Sequence, residues 1–80
     1  MLTNLKEKKK VVGVKQAKRA ITNDEVNMVF IAKDAEPKVV KDIIQLCNEK
    51  TIEIIYVESM KELGKACSID VNAAVAATLK

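Results

Sequence analysis

The stretch from Val26 to Val57 constrains the possible folds of this chain more than any other feature. It opens with VNMVFIA (26–32), a β-branched, mostly apolar run that reads as a strand covered on both faces. KDAEP (33–37) follows as a loop, with Pro37 placed where a first helical residue can lack its N–H. Val39, Val40, Ile43, Ile44, Leu46 and Cys47 then form an amphipathic stripe that predicts a helix ending near Asn48. IEIIYV (52–57) reads as a second strand. Strand, helix and strand within 32 residues of an 80-residue chain point to one α/β domain.

The flanks extend the alternation. Val11–Val12 is a brief strand ending at Gly13. Val14, Ala17 and Ile21 recur at helical spacing, with Lys15, Lys18 and Arg19 on other faces. Thr22–Glu25 is polar and turn-like. Ser59 has Glu62 three residues on, the spacing of a capping box, and Met60, Leu63 and Cys67 share a face of the helix that follows. Asp70–Asn72 turns the chain into Ala73–Leu79, a last buried strand whose small side chains allow close helix packing. The expected fold is therefore a three-layer α/β/α sandwich around a small mixed sheet, a single domain over 1–80. Residues 1–10 form a polar, basic helix or arm. With Phe30 and Tyr56 the only aromatics, aliphatic side chains and Ala must supply the core.

Charge is unevenly spread. Residues 1–20 hold seven Lys/Arg (Lys6, Lys8, Lys9, Lys10, Lys15, Lys18, Arg19) against Glu7 alone, whereas the remaining sixty hold seven bases against ten acids. One end is strongly positive, which hints at a polyanionic partner, although lysine runs are also ordinary solvated surface.

Catalytic chemistry has little to stand on. There is no His to serve as general base or metal ligand. Gly13 is isolated and no phosphate-cradling glycine motif occurs. Asp34 and Glu36 fit an acidic helix-start loop better than a Mg²⁺ pair. Cys47 and Cys67 read as small buried hydrophobes in a reducing compartment, and Cys67 has no base to activate it. The expectation is a protein without enzymatic activity, metal or cofactor. Apolar runs such as Ala73–Ala77 fall far short of the roughly 20 residues of a membrane span, and Met1–Leu5 is too short for a leader. A cytoplasmic chain with no membrane partner is expected.

Three segments carry a functional signal together. They are GVKQAKR (13–19), a glycine opening a helix with polar first turns; AKDAEP (32–37), directly after a strand; and VESMKELGKAC (57–67), a strand end, loop and short helix. In an open α/β sheet such loops gather at the carboxyl ends of strands, where ligands bind. From about Val11 to Leu79, their order and spacing, together with the string ELGKAC, resemble the kink-turn RNA-binding ribosomal protein family, and its small bacterial YbxF-like branch most of all.

The resemblance implies an α/β/α sandwich that binds kink-turns, RNA stems bent by a three-nucleotide bulge beside tandem sheared G·A pairs. The implied partner is structured RNA with such a motif, in rRNA or in an mRNA leader or riboswitch, with the ribosome a further candidate and a monomer the expected state. Much of the family carries Asn-Glu after the glycine and Lys three residues later. Here those positions are Lys15, Gln16 and Arg19, with Gly13 and Val14 at the approach to the RNA backbone and Lys18 adding charge. Lys15-Gln16 resembles the small bacterial branch; a carboxylate that accepts from guanine is replaced by groups that donate to O6 and N7 or bond a base edge either way. Arg19 keeps the charge and adds a planar fork.

The geometry suits such residues. A regular RNA helix hides its base edges in a deep, narrow groove, whereas sheared G·A pairs at a kink expose them, and a helix N-terminus offers N–H groups to a phosphate. By the same resemblance Val57, Glu58, Ser59 and Met60 form the loop that packs on the extruded bulge nucleotide. Val57 and Met60 give apolar cover and Glu58 and Ser59 hydrogen-bond an edge or ribose; Val57 and Met60 read equally as core. Lys33 either touches a phosphate or belongs to a structural turn, and Lys6–Lys10 either tether phosphates or only solubilise. The alternative is a ribosome-associated protein-interaction module with nonspecific RNA affinity, using the slightly acidic remainder of the chain.

Overall fold

The computed structural model describes residues 9–69 and 71–80. The elements run β1 (Lys10–Val12), α1 (Val14–Thr22), β2 (Val26–Ala32), α2 (Pro37–Lys50), β3 (Glu53–Val57), α3 (Met60–Ala66) and β4 (Val75–Leu79). The sheet order is β1-β4-β2-β3; β4 lies antiparallel to both its neighbours, and β2 pairs with β3 in parallel. The expected three-layer arrangement with a mixed sheet is the one found: α1 and α2 pack on each other, and α3 covers β2, β3 and β4.

The sequence pattern explains the layering. From Val29 to Ala32 every residue of β2 is buried, as is Val75–Thr78 of β4, because both strands are central and have helices on each side. The edge strands are wetter; β1 is half-buried throughout and β3 is exposed or half-buried until Val57. Ala76 and Ala77 are fully enclosed at the middle of the sheet, where small side chains let the helices close in. Ile21, Ile43 and Leu63 bring one fully buried aliphatic from each helix. Each contributes about 1.5–3 kcal/mol relative to exposure.

Several boundaries differ from the expectation, and three of the differences have a visible cause; the other two are single residues, Thr22 joining α1 and Ile52 lying outside β3. Lys10 belongs to β1, and the Lys9 carbonyl accepts from Leu79 N–H at 2.9 Å, so these two residues of the proposed arm are part of the sheet margin. The rest of the arm, including Lys6 and Lys8, lies outside the described residues. Helix α2 runs on through Glu49 and Lys50 and stops at Thr51, whose φ of 57° and ψ of 43° place it in the left-handed region. The last strand starts at Val75, because Ala73 and Ala74 are drawn into bonds with Met60 and Ala32.

Candidate nucleic-acid interface

The carboxyl ends of β2 and β3, the end of β1 and the start of β4 meet at one end of the sheet, which follows from their directions. There the chain turns from β1 into α1 through Gly13. Its φ of 113° and ψ of 155° belong to a region that side-chain-bearing residues rarely enter. Gly13 N–H donates to the Val75 carbonyl at 2.8 Å, fixing the start of α1 against β4. The Gly13 carbonyl accepts from Ala17 N–H at 3.0 Å, the first bond of the helix. Val14, Lys15 and Gln16 thus precede the first intrahelical donor, and their N–H groups point out of the helix start. No side chain caps this end and no acid stands in the first turn.

Lys15, Gln16 and Arg19 are exposed, and among the described residues none of their side chains enters a hydrogen bond or ion pair. Gln16 Oε1 folds toward Gly13: a Cβ added at Gly13 would stand 2.6 Å from it. Lys18 departs from the group. It turns to α2 and meets Asp42 at 3.7 Å, an exposed pair of small energetic weight. Val14 is half-buried and supports the turn rather than projecting from it.

The second segment divides between surface and scaffold. Val57 is 3% exposed and sits in the core, so its side chain cannot cover a base, which corrects that part of the expectation. The reason is its place as the last residue of β3, directly beside Ala32, where the sheet is covered on both sides. Its carbonyl accepts from Lys33 N–H at 2.8 Å. Met60 is half-buried and remains at the rim. Ser59 caps α3 as its spacing from Glu62 predicts, its Oγ accepting from Glu62 N–H at 3.1 Å. Asp34 supplies a second cap from the β2–α2 loop, with Oδ1 accepting from Met60 N–H at 2.7 Å. That gives Asp34 a structural task in place of a metal, and no cluster able to hold a metal ion occurs among the described residues. Glu58 and Lys33, both exposed, pair across 3.4 Å. A phosphate approaching Lys33 would compete with Glu58 for it.

A third component escaped the sequence reading. Val71, in the loop before β4, is 68% exposed, the most exposed of the large hydrophobic side chains among the described residues. It lies against Lys61, Lys65, Ile69 and Asn72 in a shallow depression of about 300 Å³. Gly64 makes this possible: a Cβ there would lie 2.2 Å from the Val71 carbonyl, so the loop crosses α3 at a distance only glycine permits. Ala73 N–H then bonds the Met60 carbonyl at 3.0 Å, and Ala32 N–H the Ala74 carbonyl at 2.9 Å. These bonds tie the Val71 loop to the α3 start and to the end of β2. An apolar residue between Asp70 and Asn72 was the available signal, but read alone it is one residue of a turn.

Both cysteines are buried and unpaired. Burial pushes the Cys47 thiol up; it does the same to Cys67, with Lys10 pulling weakly the other way. Neither has the exposed, thiolate-favouring setting of a nucleophile. Among the described residues no helix is long and apolar enough to cross a membrane.

Comparison with known proteins agrees with this geometry. An RNA-binding protein of Caldanaerobacter subterraneus is 56% identical over 69 residues, covering 86% of this chain and 84% of its own. The RNA-binding protein YbxF of Geobacillus stearothermophilus is 40% identical over 70 residues, covering 88% and 85%. Among solved structures, the 15.5kD RNA binding protein of Giardia lamblia superposes with a TM-score of 0.92 at 26% identity, over 99% of this chain and 70% of that one. With its family's sequence profile matched across residues 2–80, the chain belongs to the ribosomal protein L7Ae/L30e/S12e/Gadd45 family, and within it to the small bacterial YbxF-like branch.

Proposed function

We propose that this protein binds RNA at the end of the sheet where α1 begins, and that its preferred target is a kink-turn. The observation that carries the reading is the open start of α1. Its N–H groups lack a side-chain cap, and Lys15, Gln16 and Arg19 stand exposed beside them with no side-chain partner among the described residues. A helix start of this kind is complementary to a phosphate, and the three side chains to exposed purine edges. The relatives named as RNA-binding proteins support the same reading.

In this arrangement Gly13 and Val14 bring the backbone close, and Lys15, Gln16 and Arg19 read the sheared pairs. Met60 and Val71 give apolar cover to an unstacked base, with Glu58 and Ser59 near its polar edge. Lys18 and Lys33 contribute charge, each at the expense of its ion pair. The protein acts as a cytoplasmic monomer on rRNA or an mRNA leader, within or beside the ribosome.

A gel-shift comparing a kink-turn with the same stem lacking its bulge tests the proposal. Preference for the kink-turn is expected, lost when Lys15, Gln16 and Arg19 are all changed to Ala. With roughly three phosphates neutralised, log affinity should fall against log salt with a slope near about −2 to −3. Equal, weak binding to both RNAs would reduce the protein to a polycation with nonspecific affinity and favour a protein-interaction role.

A further inference from the structure

A second feature lies apart from Lys15, Gln16 and Arg19. Between the first half of α2 and the outer strand β3 runs a groove of about 600 Å³ with Ile31, Val40 and Ile44 on its floor and Tyr56 as one wall. Tyr56 is 51% exposed, uncommonly open for an aromatic in a sheet. The rim carries Lys33, Lys38 and Lys41, and among the described residues no acid lines the groove. Lys38 and Lys41 have no ion-pair partner among the described residues. The surface is thus apolar at the bottom and positive at the lip.

Beside the groove, β3 ends the sheet. It pairs with β2 alone, and among the described residues no strand lies on its other side. The Val57 carbonyl bonds to Lys33 N–H and so faces β2. Main-chain groups alternate sides along a strand, which turns those of Ile54 and Tyr56 outward. Exposed edges are usually blunted by charged side chains, Pro or a bulge within the strand. EIIYV has no Lys, Pro or bulge, and its one charge, Glu53, stands at its first residue, away from Tyr56.

We infer that the β3 edge and this groove together receive an extended, acidic segment of a partner protein, added as a fifth strand. Its main chain bonds to Ile54 and Tyr56. Alternate apolar side chains enter the groove beside Tyr56, and neighbouring carboxylates meet Lys38 and Lys41. Strand addition of this type takes affinity from the main chain and selectivity from pockets for every second side chain. A peptide fits better than a nucleic-acid strand. The floor is aliphatic with a single aromatic wall, whereas single-stranded RNA is held by successive stacking platforms. The outward donors and acceptors also repeat at about 7 Å, the two-residue spacing of a strand.

The test is selection of a random dodecapeptide display library on the full chain, followed by titration of a synthetic enriched peptide into isotope-labelled protein. Enriched sequences should alternate Asp or Glu with Ile, Leu, Val or Phe, and the peptide should shift the amides of Ile54, Tyr56, Lys38 and Lys41. Lys38→Glu combined with Lys41→Glu should weaken that peptide at least about tenfold, and Tyr56→Asp should do the same. Both variants should keep the parent's circular dichroism and its kink-turn affinity, which separates this inference from the RNA reading. Failure to enrich acidic-apolar sequences, or shifts mapping elsewhere, would overturn it. So would a concentration-dependent dimer that closes the β3 edge without peptide. If kink-turn RNA itself shifts the four amides, the groove belongs to RNA and the inference is wrong.

Discussion

Helices α1 and α3 both begin at the end of the sheet where β2 and β3 finish, and their first turns are completed in opposite ways. For α3, Ser59 Oγ accepts from Glu62 N–H, Asp34 Oδ1 accepts from Met60 N–H, and Glu62 places a carboxylate in the first turn. For α1 there is no side-chain cap, no acid in the first turn, and two exposed cations with Gln16 around three outward N–H groups. Capping is worth about 1 kcal/mol and an acid at a helix start about 0.3–1 kcal/mol, so α1 forgoes stability that α3 takes. Helix α2 also starts without a side-chain cap or a first-turn acid, but with Pro37 at its first turn. On the RNA reading proposed above, it is therefore the exposed Lys15, Gln16 and Arg19 that single out the start of α1. Stability and binding should therefore respond in opposite directions at α1, whereas elsewhere binding should either fall with stability or stay unchanged.

The largest effect should come from Lys15→Glu. The new carboxylate would sit in the first turn of α1, four residues before Arg19, and engage both the helix start and that guanidinium. The thermal midpoint should rise by a few degrees while kink-turn affinity falls on the order of 100-fold, or nearly 3 kcal/mol. A parallel loss of both would mean that α1 is not held in reserve for a ligand. Next comes Gly64→Ala. The methyl group meets the backbone at Val71, which cannot yield as a side-chain tip would. Denaturant titration should register a loss of about 1–3 kcal/mol. Affinity should drop too, because the displaced loop carries Val71; unchanged binding would remove that loop from the interface.

Asp34→Ala should lower stability by about 1 kcal/mol through the lost cap on α3. Affinity should stay within about twofold, less than 0.5 kcal/mol. A tenfold loss would show that the capped helix start also touches RNA. The smallest effect belongs to the far end of the sheet, where Asp24 accepts from Lys50 Nζ at 2.7 Å. That hydrogen bond and charge hold the exposed Asp24 carboxyl below its ordinary value of 3.8. The folded pKa lies below the unfolded one, so the pair's contribution is present above the unfolded value and fades as pH falls through the folded one. Asp24→Asn should flatten the acid limb of the stability profile slightly and leave RNA binding untouched, and its φ of 58° suits Asn.

Much of the layering was legible because it follows from local pattern. VNMVFIA announced a strand buried on both faces, Pro37 a helix start and Ser59 a cap. The polar start of α1 was also legible, since Gly13 and the residues after it are contiguous. What escaped depends on contacts between distant segments. The Lys33–Glu58 and Lys18–Asp42 pairs join residues more than twenty positions apart, and nothing local marks Lys18 as the cation turned toward α2. The split between buried Val57 and half-exposed Met60 rests on where β3 ends against Ala32. Helix α2 reaches Lys50 because Thr51 adopts a left-handed conformation that a β-branched residue seldom takes. Val71 became visible only once Gly64 was seen to let the loop cross α3.

The bond from Gly13 N–H to the Val75 carbonyl has a consequence for biosynthesis. The residues that would grip RNA are translated before the strand that fixes their helix, and among the described residues β1 has no partner in the sheet other than β4. A nascent chain that has not yet delivered Val75 to the folding reaction displays the same lysines and arginine on an unanchored segment. If RNA binds as proposed, selective recognition would be deferred to the moment the polypeptide closes on itself, and an unfinished copy would compete poorly with a finished one for the target.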